Sequence, residues 1–157
     1  MTRELITAWS DYQIALDRLL ALATHQILIY DDDLGQLSLD GLRLAHLQRI
    51  LNHGTPNALR IALRNAVRLR NHHPRLIGLL GTWSHLAAAQ QTPETLAHLR
   101  DSMILVDRRH GLIRFEQAHP RSKLLLDDPE AIVPYVHRFA SIWDEGGEPV
   151  STVTLGL

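Results

Sequence analysis

The chain has 157 residues, 45% of them hydrophobic and 21% charged, an ordinary composition for a single domain able to bury a core. Sixteen Lys and Arg against seventeen Asp and Glu leave a formal charge of −1, which excludes a global field drawing it to nucleic acid or anionic lipid. With no Cys, disulfides and thiolate zinc sites are excluded; Met1–Asp11 lacks the apolar segment of a signal peptide, and no apolar run is long enough to span a bilayer, so a cytoplasmic protein is expected.

In chain order, Ser10 and Gln13 have capping-box spacing, and Tyr12, Ile14, Leu16, Leu19, Leu20 and Leu22 predict a helix to about Thr24. Gln26–Tyr30 is short, β-rich and almost continuously apolar, which predicts a buried strand parallel to its neighbours, ended by Asp31-Asp32-Asp33. Ser38 or Asp40 caps a second helix that stops at His53-Gly54, with Pro56 beyond. Leu59–Leu63 reads as a second strand, and Arg64–His73, with three Arg and two adjacent His, as a loop or poor helix. Pro74 opens a helix through Leu80, closed by Gly81, and Ser84–Gln90 is assigned to a strand.

The stretch Leu96–Phe115 is the expected centre of the domain. Met103–Val106 is apolar without alternation, as in a central strand with two buried faces. Asp107–Gly111 fits a hairpin loop whose Gly takes a positive φ, with Leu112–Phe115 returning. Lys123–Leu126 is a brief extended piece. Asp127-Asp128-Pro129-Glu130 starts a helix whose apolar face carries Ile132, Tyr135, Val136, Phe139, Ile142 and Trp143, with Pro134 as an interior irregularity. Gly146-Gly147 ends it, and Val150–Leu157 is a candidate edge strand. Residues 10–145 form the expected core of one domain covering 1–157, and 146–157 a tail. Alternating helices and buried strands, then a hairpin and a helix, specify an α/β layered domain with a mixed β-sheet.

Around the hairpin the chain resembles one half of the phospholipase D-like superfamily, whose members carry His-x-Lys-x4-Asp entering a buried strand and Gly-Ser-x-Asn after the next one. HLRDSMILVDRRHGLIRF is similar in its strand and its Asp107, and DDPEAIVPYVHRFASIW is similar in a late helix with Phe139 and Trp143 correctly spaced. The resemblance extends in pattern over most of the chain, and to a bacterial family degenerate in the same way. With Asp107 as register mark, Arg100 falls where the nucleophilic His stands and Ser102 where the Lys stands. Arg114, Phe115, Glu116 and Gln117 fall on the Gly-Ser-x-Asn positions. Arg remains protonated at any relevant pH and serves neither as nucleophile nor as base. The resemblance therefore implies a non-catalytic relative, a binding or assembly module that forms a homodimer and keeps a residual pocket for a phosphate-containing anion at Arg100, Ser102, Arg114 and Gln117. The alternative is an active phosphodiesterase using a shifted motif, with His98, Arg100 and Asp107 as its catalytic residues.

Other constellations are weaker. Asp31-Asp32-Asp33 is similar to the Asp-x-Asp loop of haloacid-dehalogenase-like phosphatases, but Gly35 stands where Thr or Val is needed and a full helix precedes the strand. The ten His show no metal-ligand spacing; His46 and His53 share a helix face about 10 Å apart. No metal and no cofactor are expected. Arg60, Arg64, Arg68, Arg70 and Arg75 form the densest basic run, a second alternative as a nucleic-acid face, though no aromatics interleave for base stacking.

Overall fold

The computed structural model describes residues 1–152. In chain order the elements are β1 (Thr2–Ile6), α1 (Trp9–Leu22), β2 (Ile27–Asp31), α2 (Gly41–Asn52), β3 (Leu59–Leu63), α3 (Val67–His72), α4 (Pro74–Thr82), β4 (Ala87–Gln91), β5 (Ser102–Val106), β6 (His110–Arg114), β7 (Ser122–Leu126), α5 (Pro129–Asp144) and β8 (Glu148–Pro149). A single 3-10 turn, Glu94–Leu96, leads toward β5. One mixed sheet runs in the order β1-β7-β6-β5-β2-β3-β4-β8. β2, β3 and β4 are parallel, whereas β5 pairs antiparallel with both β2 and β6.

The alternation of side chains along each strand divides the core in two. Ile27, Ile29, Ile61, Ile104 and Leu112 meet Leu16, Leu19, Leu20, Leu47, Ile50 and Leu76, so α1 to α4 cover one face. Tyr30, Ala62, Met103, Leu105 and Ile113 meet Ile132, Val136, Phe139 and Ile142 of α5 on the other. β2 and β5 are buried at every position, which explains their unbroken apolar sequences. Phe139 is buried, and Trp143, one turn on, stacks on it at 6.0 Å while remaining half-buried.

Several local expectations are corrected. β1 lies in a stretch read only for its lack of a signal peptide; it pairs antiparallel with β7, its alternation being obscured by Arg3 and Glu4. β2 is parallel to one neighbour only. Helix α1 is capped at Ala8, two residues before the expected cap Ser10, and without a side-chain cap bond. Asp40 does occupy the cap position of α2, also without a side-chain bond. Most of Arg64–His73 is helical because Leu69 anchors α3 to the core, and α4 runs through Gly81. At the hairpin, the positive φ falls on Asp107 (55°) and Arg108 (57°) rather than on glycine. Gly111 is needed for a different reason: a Cβ there would lie 2.6 Å from Ile132 Cδ1. The C-terminal edge strand is β8, which pairs antiparallel with β4, and Val150 donates to the Ala89 carbonyl. The rest of the expected tail strand, residues 153–157, lies outside the described residues.

Candidate functional site

Strand register sets a polar row across the centre of the sheet. Arg114 of β6 is opposite Ser102 of β5 on one side and Ser122 of β7 on the other. The β2–β5 register, continued one residue beyond Tyr30 and Met103, carries Asp31 to Ser102. All four side chains are buried and lie on the α1 face. Two serines leave room for a guanidinium, and Arg114 uses it: its Nη2 donates to Asp31 Oδ1 at 2.7 Å. Its Cζ lies 5.0 Å from the Tyr12 ring and 5.2 Å from the Trp9 ring, so the first turn of α1 roofs the pair with two aromatic faces. Asp31 Oδ2 also accepts from Leu34 N, which turns the chain after β2. Tyr12 Oη, Ser102 Oγ, and Nε and Nη1 of Arg114 are buried without a hydrogen-bond partner within the protein. Burial pushes the Tyr12 hydroxyl far up, keeping it neutral, a tendency the Arg114 charge only partly opposes.

Beyond this row, at the carboxyl ends of β2 and β3, is a cleft of about 350 Å³ lined by residues that include Asp31, Asp32, Asp33, Arg68, Arg114 and Gln117. Gln117 is tied on both sides: its backbone N donates to Arg100 O at 2.7 Å, and its Oε1 accepts from Arg64 Nη2 at 2.8 Å. Arg64 also donates to the Asp101 carbonyl and stacks on the Tyr30 ring at 4.9 Å. Burial raises the Asp32 carboxyl, and the neighbouring Asp33 and Asp31 reinforce the shift against Arg64 and Arg100.

The four residues expected at an anion pocket are thus close in register but differ in state. Arg100 is exposed and engages Glu116 through two guanidinium nitrogens, at 2.6 to 3.0 Å. That pairing holds the Glu116 carboxyl below its usual range and raises Arg100. Ser102 and Arg114 lie beneath, enclosed, and Gln117 lies at the rim. His98 is exposed, before Leu99.

Asp107 sits at the far end of β5 from Arg100 and Ser102. Its carboxylate accepts from Thr24 N, Thr24 Oγ1, His25 N and Gln26 N, all at 2.8–2.9 Å. Burial works to raise this carboxyl, but the bonds from His25, Gln26 and Thr24 outweigh it and hold it below its ordinary value. Its geometry is that of a clamp between the β5 end and the loop entering β2.

The basic run does not share one surface. Arg60 stacks on Trp143 at 4.8 Å and Arg64 on Tyr30, both on the α5 side. Arg70 and Arg75 are exposed on α3 and α4, which pack on the opposite face. Among the described residues, no three His, Asp or Glu are grouped so as to hold a metal ion.

A family model described as a domain of unknown function, DUF7931, matches residues 9–152. The chain belongs to the DUF7931 family. No curated protein sequence matches the DUF7931 chain. Among solved structures it is similar to TrmBL2, described as an archaeal chromatin protein with a novel mode of DNA binding, at a TM-score of 0.72 and 14% identity, over 96% of this chain and 55% of that one. The DUF7931 chain therefore spans about half the length of TrmBL2. It is also similar to Nuc from Salmonella typhimurium, a phospholipase D family member, at a TM-score of 0.60 and 10% identity, over 96% and 99% of the two chains. NucT from Helicobacter pylori gives 0.57 and 12%, over 96% and 98%. At such identities the likeness shows the fold, which is phospholipase D-like.

What sequence reading missed in the DUF7931 chain is Asp31 as the partner of Arg114, with Tyr12 and Trp9 as the roof. The available signal was the unusual Arg114 at the end of an otherwise apolar strand, since a buried guanidinium demands a carboxylate.

Proposed function

We propose that this chain is a non-catalytic phospholipase D-like domain that works as a binding or assembly module, with a residual anion site at Arg100, Ser102, Arg114 and Gln117. The observation that carries the reading is the fate of the motif positions. Phosphodiester cleavage through a phosphohistidine needs one unprotonated imidazole to attack and a second to protonate the leaving group. In the motif register those duties fall to Arg100, which is held on Glu116, and the position of the lysine is taken by the enclosed Ser102. Arg114 adds a guanidinium where the superfamily has glycine, already neutralised by Asp31.

The test is a chromogenic phosphodiester assay of the wild type and His98→Ala side by side. No turnover above background is expected in either. Turnover in the wild type that disappears in His98→Ala overturns the reading and establishes the shifted motif. In a phosphate titration, Arg100→Ala is expected to abolish binding. A homodimer belongs to the same proposal, and light scattering showing only monomer at micromolar concentration removes that part. We also assign the domain to the cytoplasm, for which the lack of Cys is the support.

A second reading, nucleic-acid binding, draws on the likeness to TrmBL2. The dispersal of Arg60, Arg64, Arg70 and Arg75 over two faces argues against it, since phosphate contacts require a continuous basic track. Salt-sensitive retardation of duplex DNA by the wild type, lost in Arg70→Ala/Arg75→Ala, would reverse this ranking.

A further inference from the structure

Two ion pairs at the cleft beyond β2 differ from the others. Arg64 Nε and Asp32 Oδ1 are 3.8 Å apart, and Arg68 Nε and Asp33 Oδ2 3.7 Å apart. Neither pair makes a hydrogen bond, whereas the other Arg–carboxylate pairs among the described residues all do. Opposite charges here face one another with hydrogen-bonding capacity unused. The Arg64 side chain is only 7% exposed, and its Nε has no hydrogen-bond partner within the protein. Gly35 keeps this ground open, because a Cβ there would lie 2.8 Å from Asp33 Oδ1 and 3.7 Å from Arg68 Nε.

We infer that this cleft binds a small amino-acid zwitterion, its ammonium between Asp32 and Asp33 and its carboxylate against the Arg68 guanidinium and the Gln117 amide. The inference rests on the binding-module reading above and names a ligand class for the same region. An anion alone meets three carboxylates in this cleft, and a cation alone meets Arg68 and Arg114. A molecule carrying both charges a few ångströms apart satisfies each set without leaving the other uncompensated. The cleft volume of about 350 Å³ is at the lower end of the range usual for small-molecule sites. The neutralised Arg114–Asp31 pair forms its floor.

Calorimetric titration with L-serine tests this, run beside ethanolamine, acetate and inorganic phosphate. L-Serine should bind more tightly than ethanolamine or acetate, and Asp32→Asn and Arg68→Gln should each weaken it by about tenfold or more, as loss of a charge-assisted hydrogen bond does. Both substitutions lie at partly exposed positions, and unchanged melting curves would confirm that the variants are folded. L-Serine binding no better than its two halves, or unaffected by both substitutions, overturns the inference. If phosphate binds in an Arg100-dependent way while L-serine does not, the zwitterion site fails and the anion site stands. If neither binds, both fail.

Discussion

Arg114 and Asp31, on strands separated by β5, form a salt bridge of 2.7 Å in which neither side chain is more than 2% exposed. A pair so enclosed is held by mutual need. Removing either member strands the other charge in a medium that solvates it poorly, whereas replacing both with apolar groups is far milder. Arg114→Met is therefore expected to cost about 3–5 kcal/mol in urea denaturation, and the double variant Arg114→Met/Asp31→Leu to recover much of it. Equal losses in single and double variants would show that the pair contributes through shape alone.

Asp107 offers a test of the clamp. Asp107→Ala removes the acceptor of four bonds and should cost about 1.5–3 kcal/mol or more, with Asp107→Asn intermediate because one oxygen remains. The folded-state carboxyl is held below the ordinary value of 3.8, so its contribution is complete above that value and fades as pH falls through the folded one. Wild type and Asp107→Ala should thus converge in stability at strongly acidic pH. Parallel pH profiles would contradict the assignment.

His110 should produce a dependence nearer neutrality. Its Nδ1 accepts from Asp127 N at 2.8 Å, which requires that nitrogen to be unprotonated. Burial lowers the imidazole below 6.5, and Asp107 only partly offsets this. In the folded state the neutral form is favoured, so the stability it brings is full above 6.5 and is lost as pH falls from there to the folded value. His110→Asn, which keeps an acceptor without a titrating group, should flatten the stability curve between about pH 5 and 7.

On α5, Phe139 and Trp143 should separate. Phe139→Ala is expected to cost about 3–5 kcal/mol, as a buried aromatic does. The half-buried Trp143 should cost less on truncation, through lost stacking on Phe139 and Arg60. A larger loss at Trp143, measured by thermal or urea unfolding, would indicate that α5 is seated differently on the sheet.

The layered α/β fold was legible wherever apolar runs are long and unbroken: β2, β3, β5 and α5 all lie within a residue or two of their expected places. β1 was not, because an edge strand of five residues with Arg3 and Glu4 side by side has too little apolar content to declare itself. The turn between β5 and β6 misled for another reason. Gly111 looked like the flexible residue, yet its small size serves packing against Ile132, and tertiary contacts hold Asp107 and Arg108 in the left-handed region. At the site, sequence register brought Arg100, Ser102, Arg114 and Gln117 to one end of the hairpin. It had no means of pairing Arg114 with Asp31, a contact between residues 83 apart in the chain.

The unequal cover of the sheet carries a consequence for its dynamics. One helix, α5, shields the middle strands on its side, and at the margin Leu5 of β1 is left 62% exposed. β1 is bonded along one flank only, to β7. Amide hydrogen exchange should therefore be graded across the sheet, slowest in β5 and β2 and fastest in β1, with opening that starts at the margin and leaves the central row closed until the whole domain unfolds.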